Sequence, residues 1–192
     1  MPRRYTWLGL LVMLVALSTV SAPAVHAAEP FTDPEGRFSF TPPDNYEPLT
    51  AQEIRQAVRA GSAALGIAGS SDALVVALSN PTTMANVNVA AISLRGAVTN
   101  VGEGAEQLTR VLGNVEGVTL DSAGIETLTI GGEDARTYGY TLSLGGVEAR
   151  GQQFLVIRGD VAYFITFTAL TDDFDAFFEE TRIILETFAF LT

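Results

Sequence analysis

The 192-residue chain reads as a single α+β domain built on an antiparallel sheet. Three observations predict this. A run of strand-like segments from Val118 to Ala169 is joined by glycine-containing turns. Three segments carry helix-start signals, beginning near Thr50, Asn100 and Thr171. No repeat, low-complexity linker or break in composition divides the chain.

The opening MPRRYTWLGLLVMLVALSTVSAPAVHAAEP sets Arg3 and Arg4 before an unbroken apolar run and surrounds Ala27 and Ala28 with small residues. That pattern is a secretory signal peptide, and cleavage after Ala27 or Ala28 leaves a mature chain starting at or just before Glu29. The stretch from Trp7 to Val20 is shorter than the roughly 20 residues a spanning helix needs, which disfavours a retained anchor. Tyr5-Thr6-Trp7-Leu8 matches a twin-arginine signal poorly, so the arginine pair reads as an ordinary charged start. No Cys follows the apolar core to carry a lipid. The expected organisation is a signal peptide over residues 1–28 and one domain over 29–192, secreted or periplasmic, with no stable membrane anchor after cleavage.

In the mature part, Asp33-Pro34-Glu35-Gly36 is turn chemistry. Phe38 and Phe40 then alternate with Ser39 and Thr41 as a strand, until Pro42 and Pro43 stop it. Thr50 and Glu53 form a capping box, with Leu49 and Ile54 spaced as a hydrophobic staple. The helix they start carries Ile54, Ala57, Val58, Ala64 and Leu65 on one face, and Gly66 or Gly69 can end it. DALVVALS and ANVNVAAISLRG read as strands about a turn at Asn80-Pro81-Thr82. In the second, Val87, Val89 and Ala91 make an apolar face, and Asn86, Asn88 and Ala90 make the other, more polar one.

A short helix is expected from about Glu103 to Leu112, capped by Asn100 and ended by Gly113. Sequential hairpins follow, with Gly131-Gly132, Gly145-Gly146 and Gly159-Asp160 at the joints, where a positive φ is needed. Thr171-Asp172-Asp173 then caps a final helix, and Thr187 to Phe190 add a short extended segment.

The stretch AYFITFTALTDDFDAFFEETRIILETFAF concentrates the chain's aromatic residues. Phe174, Phe177, Phe178, Thr181, Ile184, Leu185 and Phe188 follow the spacing of an amphipathic helix. Tyr163, Ile165 and Phe167 point one way from their strand, while Phe164, Thr166 and Thr168 point the other. The aromatic cluster therefore predicts core, with the helix laid across the sheet.

Composition excludes much chemistry. The only His, His26, lies in the signal peptide, and Cys and Lys are absent. A mature chain of this kind has no imidazole for a Ser-His-Asp or Cys-His system, no amine for a Schiff base and no usual zinc ligands. The formal charge is −11, and the signal peptide removes arginines but no acids. Such a surface repels phosphate backbones, so nucleic acid and anionic membranes are not expected partners.

Both ends of the mature chain, FTDPEGRFSFTPPDNYEP and GQQFLVIRGDVAYFITFTALTDDFDAFFEETRIILETFAF, resemble the PsbP-like family of extracytoplasmic proteins and the related LpqN-type bacterial lipoproteins. The resemblance implies an α/β/α sandwich, an antiparallel sheet flanked by helices on both faces. It further implies a mostly non-enzymatic family of accessory, assembly or partner-binding proteins. The basic docking residues of plant members and the lipid-bearing Cys of the lipoproteins are not matched here.

No residue earns a catalytic, cofactor-binding or metal assignment. Asp172, Asp173 and Asp175 lack the spacing of a calcium loop and suit the first turn of a helix. Val101-Gly-Glu-Gly-Ala-Glu106 lacks the third glycine of a dinucleotide loop. Gly69-Ser70-Ser71-Asp72 lacks the second glycine of a nucleophile elbow. Glu133 and Asp134 read as turn residues; as strand neighbours they would point to opposite faces, unlike a glycosidase pair. Arg136, Arg150 and Arg158 read as ion-paired surface residues. The sequence therefore predicts an exported, non-enzymatic accessory domain that binds another extracytoplasmic protein and needs no cofactor. A small-ligand binder with a pocket between sheet and helix is the alternative, and an Asp/Glu hydrolase is a distant third.

Overall fold

The computed structural model describes residues 29–65, 73–80, 83, 85–96, 98 and 100–192. Residues 1–28, expected as a signal peptide, residues 66–72 and residues 81–82, expected as a turn, lie outside them. The strands are β1 (Phe31–Thr32), β2 (Phe38–Phe40), β3 (Glu47–Pro48), β4 (Leu74–Ser79), β5 (Asn86–Ser93), β6 (Val118–Leu120), β7 (Glu126–Ile130), β8 (Glu133–Leu144), β9 (Val147–Arg158), β10 (Val161–Leu170) and β11 (Ala189–Phe190). The helices are α1 (Ala51–Leu65), α2 (Val101–Leu112), α3 (Phe174–Thr181) and α4 (Ile183–Thr187). The fold is mixed α+β, as expected.

An eight-stranded sheet runs in the order β3-β4-β5-β10-β9-β8-β6, with β7 sharing the outer edge of β8 with β6. Every pairing is antiparallel. The three longest strands are consecutive hairpins. Gly131 and Gly132 have φ of 58° and 84°, and Gly145 and Gly146 have 58° and 86°, the left-handed pair that a two-residue hairpin turn demands. The segment VTLDSAGIETLTI forms two strands, because the chain leaves β8 at Asp121 and returns at Glu126. Glu133 and Asp134, expected in the turn, are the first residues of β8, and Glu133 reaches Arg158 at 3.3 Å.

The start signals of two helices hold. Glu53 Oε2 accepts from the Thr50 amide at 2.7 Å, and Asn100 Oδ1 accepts from the amides of Gly102 and Glu103. The final helix differs from expectation. Thr171–Asp173 form a 3₁₀ turn with no side-chain cap, and the helix breaks at Arg182 into α3 and α4. The Thr181 hydroxyl donates back to the carbonyls of Phe177 and Phe178, which competes with the helix ladder at the break.

Two apolar clusters use alternate residues of β10. Tyr163, Ile165 and Phe167 belong to one, with Phe38, Phe40, Phe154, Phe174, Phe177, Ile184 and Phe188. Ala162 and Phe164 belong to the other, with Leu108 and Leu112 of α2 and Leu155, Tyr138 and Tyr140. The C-terminal aromatic stripe is thus core, as predicted, with stacked and edge-on pairs among Phe154, Phe167, Phe174, Phe177 and Phe178. Each such pair is worth about 0.5–1.5 kcal/mol beyond its buried area. The small sheet β1-β2-β11 joins the two ends of the domain, and Phe38 and Phe40 stack on Phe188 there.

At the entry to β2, the buried Asp33 carboxylate accepts from Arg37 at 2.6 and 3.1 Å. Burial pushes the Asp33 carboxyl up, but the hydrogen bonds and charge of Arg37 together outweigh it and hold it below the usual value.

Gly151 on β9 is shaped by the ring across from it. A Cβ at this position would fall on the ring carbons and hydroxyl of Tyr140, so the missing side chain is the space the ring occupies. Overpacking of this sort costs about 1–3 kcal/mol. Gly151→Ala is therefore expected to lower stability by about that amount in urea unfolding. An unchanged midpoint would mean that Tyr140 does not lie over β9.

Candidate functional site

The side of β5 expected to be the more polar face carries the correction that matters most. Asn86 and Asn88 do not face water: both are buried, Asn88 completely. The register explains why, since β5 pairs with the central strand β10 and β4 covers its other edge. Antiparallel pairing then lines up two rows across the sheet. One runs Ala77, Asn88, Thr166, Gln153, Tyr138. The next runs Ser79, Asn86, Thr168, Gly151, Tyr140, Leu120. Tyr138 and Tyr140 belong to the cluster that α2 packs against, which puts both rows on that face.

The first row is partly wired. Tyr138 donates to Gln153 Oε1, and Gln153 Nε2 donates to Thr166 Oγ1 at 2.8 Å. Asn88, in the same row, is left out of this chain of bonds, and the second row is barely wired at all. Asn86 Nδ2 reaches only the Thr168 carbonyl, at 3.5 Å. Asn86 Oδ1, both polar atoms of Asn88, Thr168 Oγ1 and Tyr140 Oη are buried without a hydrogen-bond partner. The Thr168 hydroxyl lies near enough to Tyr140 to offset part of the effect of burial on its pKa, yet the two do not meet hydrogen-bonding geometry. A buried polar group with no partner of any kind costs about 1–3 kcal/mol, so these five atoms call for partners that the surrounding side chains do not supply.

The chemistry of this patch is neutral. It holds amides, aliphatic hydroxyls and phenols, and burial pushes the Tyr140 phenol up to about 12. Burial, and then the neighbouring Tyr140, raises Tyr138 well above its ordinary value. Such groups donate and accept hydrogen bonds and do not exchange protons at neutral pH.

The residues weighed from sequence lie elsewhere and are not brought together. Asp175 pairs with Arg150 at 2.9 Å, and Arg150 also approaches Asp121 at 3.7 Å and lies over the Phe174 ring. Arg158 pairs with Glu133 and stacks on Phe190. Arg136, expected to be ion-paired, instead donates to the Ala135 carbonyl beside Gly102 at the start of α2. Among the described residues no three acids gather to hold a metal ion. Gly102 and Gly104 are helical, as the cap reading required. The sequence did hold part of the signal for the buried rows: Gly-Gln-Gln-Phe and Thr-Phe-Thr alternate in strands that a hairpin makes neighbours, whereas Asn-Val-Asn-Val joins them only through the long-range pairing of β5 with β10.

Raised tyrosine pKa values have a definite pH consequence. The folded state holds the Tyr138 and Tyr140 protons more tightly than the unfolded chain, where tyrosine ionises near 10. That stabilisation is complete below pH 10 and is lost as pH rises towards about 12. Thermal unfolding is expected to shift to lower temperature across this window, and Tyr140→Phe should flatten the slope. An identical slope in the variant would contradict the burial of Tyr140.

No family model matches the chain, and no curated protein matches its sequence. Solved structures do match. LpqN of Mycobacterium tuberculosis, described as involved in cell envelope biogenesis, superposes with a TM-score of 0.59 at 14% identity, over 88% of this chain and 93% of that one. The cyanobacterial PsbP, CyanoP, of Synechocystis sp. PCC 6803 gives 0.57 at 10% identity, over 91% of this chain and 98% of that one. A Bacteroides thetaiotaomicron protein gives 0.54 at 13% identity, over 87% of this chain and 50% of that one. At these identities the likeness concerns the fold, and it covers nearly the whole of both LpqN and CyanoP: this chain has the PsbP-like fold, in the form shared with LpqN-type proteins.

Proposed function

We propose that this chain is an extracytoplasmic, non-enzymatic accessory domain that holds a protein component of the cell envelope. The observation that carries the reading is the division of polar groups. The unpartnered groups in the interior are neutral donors and acceptors, whereas the carboxylates of Asp121, Glu133, Asp175, Glu179 and Glu186 sit in ion pairs at or near the surface. This arrangement favours recognition over proton transfer.

Three further facts support it. Residues 1–28 carry the sequence pattern of a signal peptide, which supports export. The fold is shared with LpqN, a protein involved in cell envelope biogenesis. No helix among the described residues is long and apolar enough to cross a membrane. Among the described residues the exposed large apolar side chains are Ile125 before β7, Val147 at the start of β9 and Ile183 at the start of α4, and the chain as a whole is strongly acidic. A partner with basic residues at its rim fits such a surface, with an association rate that falls as salt rises.

The test is reciprocal co-purification from the native envelope, with the tag placed on this protein and then on the candidate partner. One envelope protein recovered in fixed stoichiometry from both directions, and released by raised salt, is the expected result. Recovery without a fixed partner, or turnover of an envelope substrate by the purified protein, would contradict the proposal.

A further inference from the structure

We propose that Asn86, Asn88, Thr168 and Tyr140 line a binding site for a small uncharged molecule bearing hydroxyl or amide groups. The inference goes beyond the accessory role and stands separately from any protein partner. Its basis is placement: five buried polar atoms without partners come from β5, β8 and β10 onto one face. They occupy two adjacent rows, spaced about 7 Å apart by the strand rise, so a molecule of a few non-hydrogen atoms spans them.

The chemistry of the lining selects the class of occupant. Neither row contains an acid or a base between Ala77 and Tyr138 or between Ser79 and Leu120, so a charged ligand would be buried unpaired. Asn88 offers an N–H donor and a carbonyl acceptor together, and the Thr168 and Tyr140 hydroxyls each offer both. A complementary molecule must likewise donate and accept. Gly151 completes the arrangement: by lacking a side chain it lets the Tyr140 ring lie across β9, towards Thr168. The Asn86 row is buried along its middle, from Asn86 to Tyr140, and half-buried at its two ends, Ser79 and Leu120.

Two-dimensional NMR of the exported protein tests this by following the side-chain amides of Asn86 and Asn88 in separate titrations with glycerol and with acetamide. Saturable shifts at both amides are expected, with glycerol reporting a hydroxyl-type ligand and acetamide an amide-type one. Thr168→Val and Tyr140→Phe each remove one polar atom with little change of shape, and each should weaken the response about tenfold, as loss of one hydrogen bond predicts. No saturable shift with either probe, or equal shifts in wild type and both variants, would overturn the proposal. So would a high-resolution crystal structure, grown with both probes present, in which ordered water alone satisfies the four residues.

Discussion

Burial of β10 on both faces is the constraint on which the rest of this structure depends. Every residue from Ala162 to Ala169 is buried, so neither face of the strand is free to be solvated. Most antiparallel sheets leave one face to water and alternate accordingly. Here the odd residues of β10 meet the C-terminal helices and the small β1-β2-β11 sheet, and on the other face Ala162 and Phe164 join the cluster of α2 while Thr166 and Thr168 are buried beside it. The aromatic C-terminal stretch and the capped α2 are both required by that geometry, because each supplies cover that the sheet itself cannot.

The same constraint gives the polar rows their meaning. On an exposed sheet face, Asn86, Asn88 and Thr168 would be ordinary solvated residues. Once the face is covered, they become buried groups whose hydrogen bonds must be found inside the domain. Gln153 finds them along its row, through Tyr138 and Thr166. Asn88 in that row does not, and in the neighbouring row, where Gly151 brings no side chain between Thr168 and Tyr140, the polar atoms of Asn86, Thr168 and Tyr140 also remain open. The open atoms of the two rows, those of Asn88 in one and of Asn86, Thr168 and Tyr140 in the other, lie side by side and mark the place for a ligand.

Local signals in the sequence were strong wherever one or two residues decide the geometry. The capping residues Thr50, Glu53 and Asn100, the glycine pairs at 131–132 and 145–146, and the aromatic spacing from Phe174 to Phe188 all act within a turn or a hairpin, and the structure follows them. The burial of Asn86 and Asn88 was not legible in this way. It depends on β5 pairing with a strand more than 70 residues later, and on what lies over the face that results. The break at Arg182 was hidden for a different reason: the apolar stripe continues through it, and only the back-bonding of Thr181 to Phe177 and Phe178 distinguishes the two helices.

A strand buried on both sides, as β10 is, is expected to be among the last elements to yield. Native-state hydrogen exchange measures this directly, because amides in the most stable unit exchange only through global unfolding. The amides of β10 and its neighbour β9 are expected to exchange with the free energy of global unfolding, while those of the outer strands β6 and β7 open at lower cost. Exchange in β10 as fast as in β6 and β7 would contradict it.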